Sequence, residues 1–368
     1  MPELVEAARA AAGLANEPLT AFARLPSQDT MYRQEPRLLR LLEQLSGATP
    51  AELNEALELL APAINSPDAY QGNRIAIVCG ILVEQGGDPA RVSSALLQRL
   101  PGQLALAARV LPEEEKDEED EEDEDGEEGP GEELFAREPE GVKAWKSLRA
   151  LLLSAMAVFC RDMPARIQAR RLSGIVDELP KLVPHFAEAY YLEQLLCFTD
   201  DKEVIVLHVP ERKGWRVRLK AINTNFHLFT LLQARLIGEP SQGLLPGEPT
   251  APDVLALARG ETLNSEEVRE LDDFARFHFH TAEALQANGT LSPEPQHWVW
   301  GETTPDAIVP LVDGKCVLLL GPMLLGGRGW EAIGSFAAIH PALRSDVELL
   351  ETLTATQVKD WMSRCQRR

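Results

Sequence analysis

The 368-residue chain has few cysteines, no long apolar run and none of the short motifs that mark common catalysts. Its five cysteines, at 79, 160, 197, 316 and 365, are never closer than 37 residues. That spacing holds no C-x-x-C pair and no zinc pattern, and the odd count argues against a disulfide framework. Cys79, Cys160 and Cys316 sit in apolar surroundings, where free thiols pack as small hydrophobes. The longest mainly apolar stretch, Ala150–Cys160, covers 11 residues. A membrane-spanning helix needs about 20, so no membrane partner is expected. The sequence opens Met-Pro-Glu-Leu-Val-Glu, with acids where a signal peptide carries cations. These features together predict a soluble, cytoplasmic protein.

Catalytic signatures are missing as well. The chain has no G-x-S-x-G, no H-E-x-x-H and no kinase set. Its glycines match neither G-x-G-x-x-G nor the phosphate loop ending in Gly-Lys-Ser/Thr. Cys197 and Cys316 have no histidine partner visible in sequence, which leaves buried thiols as the simpler reading. No cofactor and no metal site is expected.

What the chain has in excess is acid, and in one place. Residues 113–133 carry sixteen Asp or Glu and one Lys, a net −15 within a chain of −22. The other residues therefore sum to only −7. Such a run first reads as a solvated, disordered linker. The competing reading is a binding element for a basic partner, a polyamine or calcium. A defined calcium loop is not expected, because the ligand spacing of the helix–loop–helix site is missing around Asp123–Gly126. Nucleic acid is not expected either, since a −15 tether would compete with phosphate contacts.

Around this run the chain changes character. Residues 1–112 read as an all-α helical array. Leu38, Leu39, Leu41, Leu42 and Leu45 form a stripe ending at Gly47. Thr49, Pro50 and Glu52 spell a capping box with proline in the first turn. Asp88-Pro89 announces another helix, and Ile75–Val83 is apolar nearly all round, as a buried helix is. Residues 113–140 are the acidic disordered linker or insertion. Residues 141–200 are helical again, with Trp145–Phe159, Ile167–Leu179 and Val183–Leu196 as segments. This part either belongs with 1–112 or stands apart.

From 201 to 368 the pattern predicts an α+β domain with a mostly antiparallel sheet. Glu203–His208 is β-branched and apolar, and Trp215–Lys220 alternates strictly. Turn residues between them predict a hairpin. Asn223 or Thr224 caps a helix over 225–237. Further strands are expected at 297–300, 307–312 and 315–320, with Asp313-Gly314 as a hairpin turn. Helices are expected over 330–338 and 345–364. The fold class is thus α+β overall.

Candidate chemistry falls in four places. Trp300, Glu302, Asp306, Arg328 and Trp330 lie in a tract rich in aromatics, carboxylates and glycine. It is the first place to look for a ligand pocket, with Glu302 and Asp306 as an acid/base pair. Turns and core plugs are the plainer reading of the same residues. His278-Phe-His280 would share one face on a strand, but a lone H-x-H is a weak metal signal. Phe274, Phe277 and Phe279 read as core, after a helical stretch from about Asn264. Arg216, Arg218 and Lys220 line the outer face of their strand and suit an acidic partner. Arg161, Arg166, Arg170 and Arg171 suit phosphates or the acid run itself.

These features predict an intracellular protein-interaction or regulatory protein, built on helical surfaces and an acidic tether and partnered by another protein. The rival expectation is a hydrolase-like enzyme with its pocket around Trp300, Glu302, Asp306 and Arg328.

Overall fold

A computed structural model of the protein describes residues 3–25, 33–111, 130–262, 271–307, 311–336 and 338–367. Most of the acid run, with its disorder or docking, lies outside these residues, as does the expected helix start near Asn264. The chain divides into two compact units, Met1–Leu196 and Cys197–Arg368.

Helices of the first unit start where the sequence supplies a cap. After α1 (Glu3–Ala12) and α2 (Pro36–Glu43), Thr49 opens α3 (Pro50–Ile64). Its hydroxyl accepts from the Glu52 N–H while the Glu52 carboxylate accepts from the Thr49 N–H, so both halves of the capping box form. Asp68 caps α4 (Ala69–Glu84), which is buried almost throughout, and Asp88 accepts from Ala90 N–H at the start of α5 (Ala90–Ala108). The leucine stripe of α2 divides, with Leu38 and Leu41 fully buried and Leu39 exposed.

Chain on the far side of the acid run completes this same unit. Glu132 and Glu133 open the short helix α6 (Glu132–Arg137), corrected from the linker expected over 113–140. Acids in a first turn suit the positive end of the helix dipole. The long α7 (Pro139–Phe159) then packs against α4. The buried Asp68 carboxylate accepts from Lys143 Nζ at 2.8 Å, and Asn73 Nδ2 donates to Ser147 Oγ at 2.9 Å. Arg99 is buried beside them and donates to the Ser66 and Ala69 carbonyls. Burial pulls its guanidinium down to about 10.

Beyond α7 the single helix expected over 167–179 breaks into α8 (Met163–Ala169), α9 (Ser173–Val176) and α10 (Leu179–Leu182), followed by α11 (Ala187–Leu196). Pro164 and Pro180 each sit in the first turn of a piece, where proline starts a helix but cannot continue one.

The second unit is built on a five-stranded sheet. β1 (Lys202–His208) and β2 (Lys213–Lys220) form the expected hairpin. Thr224 caps α12 (Asn225–Leu236), and α13 (Pro252–Ala258) follows. Then come β3 (Asp272–Phe274), β4 (His278–Thr281), β5 (Cys316–Gly321) and β6 (Gly329–Glu331). A single turn α14 (Ala332–Ser335), β7 (Asp346–Thr352) and α15 (Ala355–Gln366) end the chain. The sheet order is β4-β5-β1-β2-β7, and only the β1–β5 pair is parallel. β3 and β6 form a separate two-stranded ribbon.

Side-chain alternation sorts the sheet into two cores. Val204, Val206, Trp215, Val217, Leu219, Leu318 and Val347 pack with Leu228, Phe229 and Leu232 of α12. Ile205, Leu207, Val317 and Leu319 pack with Val358, Trp361 and Cys365 of α15. His227 of α12 is sealed in place, with Nε2 2.7 Å from the Ala258 carbonyl. Burial lowers it to about 4, so it is neutral and that nitrogen carries the proton.

Several local expectations shift. Residues 346–352 are a strand because β2 offers a partner edge, and the helix starts only at the Thr354–Gln357 capping box. Where a strand was expected at 297–300, a 3-10 turn over Pro295–His297 ends and Trp298 makes a single bridge with His280. The strand expected at 307–312 lies partly outside the described residues. Its end, Val312, bridges Lys315 across the Asp313-Gly314 turn, where both residues take left-handed φ.

Candidate functional site

β4 lies at one edge of the sheet, so whatever covers it comes from loops. Strand geometry puts His278 and His280 on one face, opposite Phe279, which stacks on Phe229 in the core. The two imidazoles are 4.7 Å apart and both are buried. Trp298 lies edge-on to His278 at 4.3 Å, with Trp300 5.8 Å further on.

Helix α12 anchors the loop that carries Trp300. Asn225 Nδ2 donates to the Trp300 carbonyl and to Thr303 Oγ1, and Phe226 N–H donates to the Gly301 carbonyl. A β-carbon on Gly301 would fall 2.1 Å from the Phe226 ring, so only glycine permits this approach. Arg328 then lies over both the Phe226 and Trp300 rings, each at 5.7 Å. Phe226 stacks on the buried Trp330, whose Nε1 donates to Thr230 Oγ1.

The outer side of this cluster is open and apolar. Trp300 is 46% exposed and Phe274 56% exposed, the latter corrected from the core position expected of it. Phe274 pairs with Gly329 across the β3–β6 ribbon, next to Arg328. Leu324 and Leu325 are exposed on the loop leading to Arg328. The arginine guanidinium over the Trp300 indole is a cation–π contact at a partly exposed ring.

The inner side has a different character. His278 Nε2, His280 Nδ1 and Trp298 Nε1 are buried without a hydrogen-bond partner among the described residues. Burial, joined by Arg328, lowers His278 to about 4. Burial, joined by His278 and His297, lowers His280 to about 4. Both are neutral imidazoles at pH 7. Among the described residues no group of three or more His, Cys, Asp or Glu is placed to hold a metal ion.

Of the tract singled out in sequence, Trp300, Arg328 and Trp330 converge through Phe226. Glu302 is exposed on the 301–303 turn. Asp306 goes elsewhere: it pairs with Lys202 Nζ at 3.1 Å and accepts from Thr199 Oγ1. It lines a cavity of about 500 Å³ with Glu203, Arg218 and Lys315. Phe226, Phe274 and His278 complete the cluster. Phe226 gave no signal in sequence beyond its place in the first turn of a capped helix.

The basic faces are engaged locally. Arg216 pairs with Glu203 and Glu351, and Arg218 with Asp201, Glu203 and Glu348, while Lys220 is exposed. In the first unit, Arg161 holds Glu84 through both terminal nitrogens. Arg166 is buried and donates to the Phe159 carbonyl, Arg170 is half-buried and Arg171 is exposed. No helix among the described residues is long and apolar enough to cross a membrane. Comparison with protein-family models, curated proteins and solved structures finds no match, so chemistry and geometry alone carry the functional reading.

Proposed function

We propose that the protein works by binding another protein, and that the surface formed by Trp300, Arg328, Phe274, Leu324 and Leu325 is its contact. The observation that carries this reading is Trp300, nearly half exposed and packed beneath Arg328. Ordering a large aromatic before contact lowers the entropy lost on association. Trp and Arg dominate interface energetics when they sit at the centre of a patch. The partner that fits presents an apolar anchor for the indole and a carboxylate for Arg328. The −15 segment adds a long-range field that speeds encounter with a partner carrying basic groups elsewhere.

A photo-crosslinking residue at position 325 of the full chain tests this. One partner should be captured repeatedly, with yield falling at least about tenfold in Trp300→Ala and in Arg328→Ala. Both variants should melt like the parent, because neither side chain fills the core. Capture that ignores both substitutions would exclude this surface.

A second reading, hydrolase-like catalysis in the same region, draws on the partnerless His278 and His280 nitrogens. A general base must come within hydrogen-bond reach of its substrate. These atoms have no accessible surface, which is why binding ranks first. Hydrolysis of nitrophenyl esters or phosphates that tracks purified protein and disappears in His280→Gln would reverse that order.

A further inference from the structure

A second cavity, of about 480 Å³, lies between the β1–β2 turn and α15, and shares no residue with the aromatic–arginine surface. Its wall on α15 contains Val358, Lys359, Met362 and Ser363, spaced so that they share one face of the helix. Arg212 reaches it from the hairpin turn, and Asn288 and Gly289 from the turn before residue 290. Gln366 Nε2 donates to the Gln286 carbonyl and so ties the end of the helix to that turn.

The lining holds two cations and no carboxylate. Neighbouring cations are neutralised: Lys213 pairs with Glu211, and Arg364 with Asp360 and Asp313. Arg212 and Lys359 make no ion pair among the described residues, although the chain as a whole carries −22. Two unpaired cations facing one cavity repel each other, and an anion between them removes that cost. The rest of the lining is Val358, Met362 and two alanines, with amide and hydroxyl groups at Asn288, Ser363 and Gln366. We propose that this cavity binds a small organic anion, with its carboxylate or phosphate between Arg212 and Lys359 and a short apolar body on Val358 and Met362. A volume of this size holds a ligand of small-metabolite dimensions.

Ligand-observed NMR titration of the full chain tests the assignment with four probes: hexanoate, phenyl phosphate, 1-hexanol and a peptide of residues 113–125. Saturable binding of hexanoate or phenyl phosphate, but not of 1-hexanol, is expected, and the stronger of the two identifies the head group. Affinity should fall at least about tenfold in Arg212→Gln and in Lys359→Gln, and on raising salt to about 0.5 M. Both residues are on the surface, so circular dichroism and melting should match the parent. The assignment is overturned if neither anion saturates by about 5 mM, if 1-hexanol binds equally, or if both variants retain the parent affinity. Binding of the acidic peptide alone would replace the small anion with an acidic protein segment.

Discussion

His227, His278 and His280 are buried imidazoles, and all three fall to about 4 because burial opposes the charged form. In the unfolded chain each returns to about 6.5. Between those values the unfolded state binds more protons, so stability is fully present above about pH 7 and is lost as pH falls toward 4. Each histidine contributes a slope of up to about 1.4 kcal/mol per pH unit in that window. Urea unfolding at pH 7.5, 6 and 5 should show a falling midpoint, and His227→Gln should flatten the trend. A pH-independent midpoint would contradict the burial of these groups. At this scale the sequence was ambiguous for a definite reason. An H-x-H pair shares a face only on a strand, and 278–281 becomes one only because β5 offers its edge. Phe274 was misplaced for a similar reason, since the β3–β6 ribbon has no visible signature and turns that ring outward.

Among the elements, β2 was the most readable, because one buried face and one polar face give strict alternation. Trp215, Val217 and Leu219 are fully buried, and Trp215→Ala should cost about 3–5 kcal/mol in chemical denaturation. The opposite face should behave differently. Glu203 touches Arg216, Arg218 and Lys315, yet these pairs are partly solvated, so Glu203→Gln should cost only about 1 kcal/mol or less. A comparable loss in the two variants would mean that the charge lattice, and not the apolar face, holds the hairpin. β7 was read as helix because its paired leucines and spaced acids fit both periods. Its cross-strand partners decide the matter, with Val347 opposite Leu219 and Glu348 opposite Arg218. Two capped helix starts were readable, at Thr49 and Thr224, whereas the caps at Asp68 and Thr354 emerge only in the structure. The site itself was half readable: Trp300, Arg328 and Trp330 converge, but the long-range step that brings Phe226 between them is tertiary.

For the whole molecule, the acid run carries most of the formal charge, while chain from before and after it builds the first unit. Removing residues 113–128 takes away fourteen acids and Lys116, changing the formal charge from −22 to −9. The contacts that fix α4 to α7 involve none of these residues. The melting temperature at physiological salt should therefore move by no more than about 2 °C. A larger drop would place part of the run in the folded structure. Closing a loop of different length between Leu111 and Pro130 adds only about 0.6 kcal/mol per doubling, so stability constrains the length of the run weakly.

The junction of α4 with α7 also bears on what a cut would do. Asp68 meets Lys143 and Asn73 meets Ser147 across the run, so the peptide bonds between 113 and 128 are not what holds these helices together. A protease that nicks there should yield two polypeptides that co-elute as one particle under native conditions and separate only in denaturant. By the same reasoning, the two pieces of the first unit, made separately, should find each other and reconstitute the fold.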